Sequence, residues 1–295
     1  MLLMAGVGSA GQRAVDHKAG GRLTDSVRRV IDSSIVLLRT YALHRDRPDW
    51  EYVRERAYEL AGQADRWEEL GPAAAWLFEA VGDRQGGVLV NGRMFRWEGP
   101  EPLYLSEALR QELAKGPSVV RQLLPGGVGY LRIPGMVMDS AGNEQAARSL
   151  ADSIRVLEAA GARKFIVDLR LSGGGAVSPV IEGLSPLLDK GSPVVVLTGH
   201  GTSGVGERVA IAFKGRKHTW FIGEPTAGNA TGTVCHWIEE GRIGVVIGED
   251  VAVDRKHRSY PGNLIPDEWV PGGDDLSDRA KDKKVQAALQ RLGMN

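Results

Sequence analysis

The stretch FIVDLRLSGGG, residues 165–175, decides the fold class of this chain. It begins with an apolar run and ends in Asp-x-Arg and three glycines, a pattern typical of a buried strand that runs into a tight turn. The stretch VVVLT, residues 194–198, repeats the pattern before a second glycine-rich turn. Helical patterns alternate with such strands from residue 128 onward, which predicts an α/β domain with a mainly parallel sheet and right-handed crossovers.

The predicted elements of this α/β region follow one another along the chain. Strands are predicted at residues 128–133, 165–169, 194–198, 219–223 and 243–247. Helices are predicted between them at residues 144–160, 177–189 and 207–214. The stretch DRAKDKKVQAALQRL, residues 278–292, predicts a surface helix whose late basic residues suit the helix dipole.

The residues before the α/β region predict helices and one hairpin. Apolar residues recur at three- and four-residue steps, first at Val27, Val30, Ile31, Ile35, Leu38 and Ala42. Asp49 is the predicted N-cap of a second helix, and a third helix is predicted over residues 72–81. Asn91-Gly92 lies between two short apolar runs and predicts a β-hairpin. Residues 100–126 predict a mostly helical connector.

Three regions therefore follow from the sequence. Residues 1–22 are rich in glycine and alanine, and we expect a disordered cytoplasmic leader there, with a cleaved signal as the alternative. Residues 23–126 are expected to form an N-terminal helical region with the hairpin. Residues 127–295 are expected to form the α/β core.

Composition excludes several classes of protein. The 295 residues carry 37 basic and 37 acidic side chains, which argues against a nucleic-acid partner, since such binders neutralise phosphates with a basic surface. No apolar run approaches the ~20 residues that span a bilayer, so we expect no membrane partner. The single cysteine excludes an internal disulfide and a multi-cysteine metal site, and we expect no metal ion.

One motif resembles a dinucleotide fingerprint. Residues 199–204 read G-x-G-x-x-G after a predicted strand, and Glu224 follows the last glycine by twenty residues. The predicted helix that follows is short, and the motif comes after the third strand of the series. Such matches are also common in a chain with 39 glycines. We therefore expect no cofactor.

The three glycines after residue 172 allow two interpretations. Their backbone N–H groups would lie at the carboxyl edge of the sheet, where α/β proteins bind ligands, and they are suited to an oxyanion hole. Alternatively they form only a tight turn, with Asp168 and Arg170 paired as an anchor. The pattern alone favours neither.

Four ordered blocks carry a family resemblance: FIVDLRLSGGG, then PVVVLTGHGTSGVGERVAIAFKG at 193–215, HTWFIGEPTAGN at 218–229 and AVDRKHRSYPGNLIPDEWV at 252–270. They resemble the S41 serine peptidases, which include tail-specific, carboxyl-terminal processing and tricorn-core proteases. The similarity extends back through GVGYLRIPGM at 127–136 and, more weakly, to about residue 25. The resemblance implies a ClpP/crotonase-like α/β core behind a small helical region.

The resemblance also implies that the usual catalytic residues are replaced. The family's nucleophilic serine lies three residues before a helix-opening glutamate, which is Glu207 here, so its position holds Gly204. The lysine base of one branch corresponds to Asn229. The histidine and serine of the other branch correspond to Gln85 and Gly86. Ordinary serine proteolysis needs an activated nucleophile, and none of these residues supplies one.

The remaining candidates are residues that could still bind or polarise a carbonyl. We expect His200, Ser203 and Glu224 as catalytic candidates, with Ser203 as a relocated nucleophile. Expected oxyanion and substrate contacts are Gly173, Gly174, Gly175, Gly204, Val205 and Asn229.

Three functions remain open from sequence. We favour a repurposed, non-proteolytic enzyme that acts on a carbonyl-containing small molecule or peptide. A pseudo-protease that binds an extended peptide at a sheet edge is the first alternative. An active peptidase that uses Ser203 is the second. A closed cavity over the glycine turn would favour the enzyme, and an open groove along a strand edge would favour peptide binding.

Overall fold

The fold is taken from a computed structural model, which describes residues 23–97, 99, 104–116, 118–135 and 140–294. The predicted leader, residues 1–22, lies outside the described residues. The helices are α1 Asp25–Tyr41, α2 Trp50–Ala61, α3 Gly71–Val81, α4 Glu107–Ala114, α5 Ser140–Ala159, α6 Val177–Asp189, α7 Val205–Phe213 and α8 Lys283–Arg291. The strands are β1 Gly87–Val90, β2 Arg93–Phe95, β3 Val120–Leu124, β4 Val128–Arg132, β5 Lys164–Asp168, β6 Val194–Thr198, β7 Thr219–Gly223, β8 Gly232–Glu239, β9 Ile243–Asp250 and β10 Glu268–Trp269.

A six-stranded sheet forms the α/β core and confirms the predicted fold class. Its strand order is β10-β7-β6-β5-β4-β3, and the strands from β10 to β4 run parallel. Side chains alternate between the two faces because successive residues of a strand point in opposite directions. Phe165 and Val167 pack on the face covered by α5, α6 and α7, whereas Ile166 packs towards α8. The strand ends therefore bring the loops after β5, β6 and β7 to one edge.

A second sheet of four strands, in the order β2-β1-β9-β8, carries the N-terminal helices. The predicted hairpin at Asn91-Gly92 joins β1 and β2, and both residues have the positive φ that such a turn requires, 49° and 82°. Asp49 caps α2 as predicted. The predicted apolar stripe of α1, from Val27 to Ala42, is buried against this sheet.

The structure differs from the sequence prediction in two segments. Residues 120–124, expected in a helical connector, form β3, which pairs antiparallel with β4. Residues 243–247, expected in the parallel sheet, are part of β9 (Ile243–Asp250), which pairs antiparallel with β1 and β8 instead. β8 and β9, which follow the expected boundary at residue 126, complete a sheet begun by the N-terminal region. No helix in the described part of the chain is both long enough and apolar enough to cross a membrane.

Candidate functional site

An open cavity of about 690 Å³, here called the groove, lies where several segments of the chain meet. Its walls come from the turn after β5, the start of α7, the beginning of β8 and the turn after α3. Residues from these walls are Gly174, Gly175, Gly204, Val205, Gly232, Thr233, Val234 and Gln85. The groove thus brings together four of the six predicted oxyanion residues.

Gly204 lies at the N-terminus of α7 in a conformation that an L side chain rarely adopts, with φ 53° and ψ −106°. A Cβ built there would lie 3.5 Å from Gln85 Nε2 and 3.8 Å from the carbonyl oxygen of Asn229. These distances are ordinary van der Waals contacts, so the space beside Gly204 is large enough for a Cβ. Gln85, Gly204 and Asn229, which the family resemblance matched in three separate segments of the sequence, therefore lie next to one another.

Glu207 holds the two loops on either side of that point. Its Oε2 accepts hydrogen bonds from the backbone N–H groups of Gly204, at 3.0 Å, and Asn229, at 2.6 Å. Its Oε1 accepts from the Thr226 hydroxyl and, at 2.7 Å, from the Gly228 amide. Burial raises the pKa of Glu207, and these four donors oppose the shift. The carboxylate therefore fixes the backbone of the site.

Asp83 does the same for the turn that carries Gln85. Its Oδ1 accepts from the backbone amides of Gln85, at 2.9 Å, and Gly86, at 2.8 Å. Its Oδ2 accepts at 2.7 Å from the amide of Gly248 in β9. Gln85 is thus tied to the four-stranded sheet and placed opposite Gly204.

Two side-chain amide atoms at this site are buried and have no hydrogen-bond partner among the described residues. These atoms are Nε2 of Gln85 and Oδ1 of Asn229. The other polar atom of the Asn229 side chain, Nδ2, donates a hydrogen bond to Ser203 Oγ at 3.1 Å. Buried polar groups are normally satisfied, so an unpaired donor and an unpaired acceptor at one site call for an explanation.

A smaller cavity of about 100 Å³, here called the inner cavity, lies on the other side of Gln85. The helical region contributes residues 42–44 and 81–85 to its wall. The core contributes Gly228, Asn229, Thr231, Gly248 and Pro261. Gln85 and Thr231 line both cavities, so Gln85 forms part of the wall between them.

Comparisons with known proteins agree with this architecture. Residues 127–192 match the sequence profile of Peptidase family S41. A lipoprotein from Streptococcus agalactiae has a similar fold, with a TM-score of 0.68 at 16% identity over 90% of this chain and 95% of that one. The chain is therefore similar in sequence to peptidase family S41 over residues 127–192, and its fold is that of S41 proteases. Among curated proteins, none matches the sequence.

Two named proteases share the S41 fold with this chain. The photosystem II D1 C-terminal processing protease aligns with a TM-score of 0.55 at 14% identity, over 88% of this chain and 97% of that one. The tricorn protease aligns with a TM-score of 0.56 at 13% identity, over 90% of this chain and 37% of that one. At these identities the likeness concerns the fold alone.

Ser203 and His200, two of the three catalytic candidates, line neither of the two cavities. Ser203 forms a bridge with Gly173, and its hydroxyl accepts a hydrogen bond from the amide of Asn229, which is not a base. His200 is half-buried in the turn after β6 and does not line either cavity. Among the described residues, the side-chain hydrogen-bond partner of Ser203 is therefore an amide.

Glu224 belongs to a different part of the molecule. Its Oε2 lies 3.0 Å from Lys284 Nζ, and its Oε1 accepts from the Gly272 amide at 3.3 Å. Lys284 also pairs with Asp274 at 2.8 Å. The carboxylate of Glu224 is thus engaged with the C-terminal segment, and its role as a catalytic candidate stays a prediction.

These contacts are part of a buried ion cluster, defined here by Asp168, Arg170, Asp274, Asp282 and Lys284. The Arg170 guanidinium lies within 2.8 Å of three carboxylates, those of Asp168, Asp274 and Asp282. The pairing of Asp168 with Arg170, one of the two sequence interpretations, is present. The cluster fastens the segment before α8 to the carboxyl edge of the sheet.

Gly86 differs from the other matched positions. A Cβ on it would clash with Phe78, with the Asp83 carboxylate and with the carbonyl oxygen of Val246. Glycine is therefore required there by packing, whatever stood at that position in related chains.

Sequence reasoning did not assign a role at this site to the edge strand β8 or to the anchor residues Asp83 and Glu207. The run GTVCHWIE in β8 is rich in β-branched and aromatic residues, which is a strand signal. Nothing in that local pattern indicates that the strand borders the glycine turn.

Proposed function

We propose that this S41-like protein binds an extended polypeptide segment in the groove without cleaving it. The observation that carries the proposal is that the groove is open and runs beside an edge strand. Among the described residues, β8 pairs with β9 on one side only. An edge strand has backbone donors and acceptors that an added strand can use.

The groove walls suit a peptide main chain. Thr233 and Val234 are exposed on β8, and Gly174 and Gly175 leave the opposite wall free of side chains. The charged groups of the groove are already paired, Arg208 with Asp250 at 2.9 Å and Glu249 with His236. A neutral backbone can enter without displacing an ion pair.

The groups at Gly204 support binding without hydrolysis. A glycine has no nucleophilic atom, and the facing residue, Gln85, is an amide with no basic nitrogen. The nearby hydroxyl of Ser203 accepts a hydrogen bond from the Asn229 amide, which is not a base. These features support a non-proteolytic role.

Fluorescence polarisation with a library of extended octapeptides tests the proposal. Val234 lines the groove and is 47% exposed, and we expect Val234→Asp to weaken binding at least tenfold. Val156 in α5 is 48% exposed and lies outside the groove, so Val156→Asp is the matched control and should stay within twofold. The absence of any peptide that binds below the millimolar range would refute the proposal.

A repurposed enzyme that polarises a carbonyl is the second candidate. It is favoured by the Val205 amide at the first position of α7, which borders the groove and has no acceptor among the described residues. First-turn amides are unpaired within a helix and attract developing negative charge.

Val205→Pro tests this candidate, because proline at the first helical position removes the N–H and preserves the helix. Turnover of small acyl compounds, followed by mass spectrometry, should fall at least a hundredfold if the amide stabilises an oxyanion. Turnover that persists in a folded Val205→Pro variant would exclude the amide from catalysis.

A further inference from the structure

The inner cavity adjoins the groove at Gln85 and Thr231. Gln85 separates the two spaces and reaches both of them. Water-sized groups need roughly 10–15 Å³ each, so a space of about 100 Å³ holds several of them. It is large enough for the end of a polar side chain.

Glycine at position 204 leaves the approach from the groove to Gln85 free. A Cβ there would lie 3.5 Å from the Gln85 amide nitrogen, in contact with it. Any larger side chain would extend further across the same space. Glycine at position 204 therefore provides no nucleophilic atom, and it also leaves room for a ligand group.

Three ionisable side chains line the inner cavity, those of His44, Asp83 and Arg84. The Asp83 carboxylate accepts from three backbone amides, and the Arg84 guanidinium stacks on the Trp97 ring at 5.7 Å. A carboxylate ligand would approach Asp83, and an ammonium ligand would approach Arg84. Burial of either charged ligand costs desolvation free energy, and the Glu peptide in the scan below tests whether Arg84 or His44 offsets that cost for a carboxylate.

What the cavity lacks is a partner for two neutral groups, the buried Gln85 Nε2 and the buried Asn229 Oδ1. A carboxamide carries both an acceptor oxygen and donor N–H groups, so it can satisfy the two at once. Both atoms are covered in the ligand-free protein. Rotation of the flexible Gln85 side chain, which forms the shared wall, is therefore part of binding.

We propose that the inner cavity is a side-chain pocket of the peptide groove and that it selects an asparagine or glutamine side chain of the bound segment. This inference rests on the proposed function. The peptide backbone lies along β8, and one side chain passes Gly204. Its amide oxygen accepts from Gln85 Nε2, and its amide nitrogen donates to Asn229 Oδ1.

A positional scan tests the pocket. Octapeptides of threonine and valine receive Gln, Glu or Leu at one position at a time, and their dissociation constants are measured with the parent chain. At one position we expect the Gln peptide to bind at least tenfold more tightly than the Glu and Leu peptides.

Two variants identify the residues responsible. Gln85→Leu keeps the volume and removes the hydrogen bonds, so the preference for Gln over Leu should fall below twofold while the Leu peptide binds as before. Gly204→Ala narrows the approach and should remove the same preference. Val156→Asp should retain it. Circular dichroism and thermal unfolding establish that each variant is folded.

The outcomes separate the inference from the function on which it rests. Peptides that bind with no preference for an amide, or a preference that survives Gln85→Leu, overturn the pocket and leave peptide binding intact. Failure of every peptide to bind overturns the proposed function, and the pocket with it.

Discussion

Two polar regions lie at the carboxyl edge of the six-stranded sheet, and they differ in how their polar groups are paired. In the buried ion cluster each charged side chain has an oppositely charged partner: Arg170 contacts three carboxylates, and Lys284 contacts Asp274 and the neighbouring Glu224. Among the described residues, Asp274 Oδ2 has no hydrogen-bond partner, but the other oxygen of that carboxylate pairs with both cations. At the Gly204 site the side-chain groups are neutral, and a buried donor on Gln85 and a buried acceptor on Asn229 have no partner.

The difference teaches which region holds the fold and which is free for a ligand. Separating a buried charge from its partner is strongly unfavourable, so the paired cluster resists change. An unpaired buried amide already reduces stability in the absence of ligand, and a ligand that pairs it recovers that loss. Substitutions in the two regions should therefore differ in their effect on stability.

Loss of Arg170 should give the largest effect. In Arg170→Met the carboxylates of Asp168 and Asp282 lose their cation, and we expect the free energy of unfolding to fall by about 3–5 kcal/mol. Urea unfolding measures the change. Arg155→Met is the control, since its pair with Asp152 is exposed and should contribute less than about 1 kcal/mol. Equal losses in the two variants would contradict the assignment of the cluster to stability.

Glu207 is charged and buried but belongs to the Gly204 site, so it tests the boundary between the regions. Glu207→Gln replaces charge-assisted bonds to the Gly204 and Asn229 amides with weaker or missing ones. We expect a loss of about 2 kcal/mol on urea unfolding and weaker peptide binding. Glu144→Gln on the exposed face of α5 is the control and should change neither. A loss of binding with no loss of stability would mean that Glu207 contacts the ligand rather than holding the loops.

The two regions should also respond to pH with opposite sign. Burial by itself raises the pKa of Asp168, but the charge and hydrogen bonds of Arg170 outweigh it and hold the pKa below its usual value. The same balance lowers the pKa of Asp274, through Lys284 and Arg170. Their stabilisation is therefore complete above the unfolded-state pKa of about 4 and is lost as pH falls through the native values.

Glu207 behaves in the opposite way, because burial raises its pKa. The native protein then holds this proton more tightly than the unfolded chain, so its contribution decreases as pH rises from about 4 through the native value. Urea unfolding from pH 3 to 8 should show that the free energy of unfolding falls less at acid pH in Asp168→Asn than in the parent chain. In Glu207→Gln, the decrease in the free energy of unfolding that this carboxyl causes as pH rises above about 4 should be absent. Identical pH slopes in the two variants would contradict the contrast.

Gln85→Leu should have the smallest effect on stability. It removes an unpaired buried donor, so we expect the free energy of unfolding to stay unchanged or to rise by up to about 1 kcal/mol. Thermal and urea unfolding measure it. A loss of more than about 2 kcal/mol would show that Gln85 is part of the framework, like Arg170, and would end the comparison.

Local pattern was sufficient for most of the parallel sheet and its helices. The run that forms β5 and the helical stripe of α1 are recognisable because apolar spacing reports directly on which face is buried. The same reasoning placed β9 in the wrong sheet, since an apolar strand carries no sign of which neighbour it pairs with. It also missed β3, which is exposed along much of its length.

The candidate site was predictable to the extent that family blocks align by residue. Gly204, Gln85 and Asn229 were matched in three separate segments, and the structure brings them together. Glu224 lies in one of those same blocks, yet it pairs with Lys284, sixty residues later. Spacing along the chain contains no information on such a pair.

Most helices and strands, the class of fold and the lack of a side chain at position 204 follow from the sequence, because they depend on residues close together in the chain. Only the tertiary structure decided which polar groups find partners. Pairing depends on where distant loops meet, as when residues 83–86, 204 and 229 converge beside one edge strand. The open edge of β8 and the unpaired amides of Gln85 and Asn229 arise from that convergence.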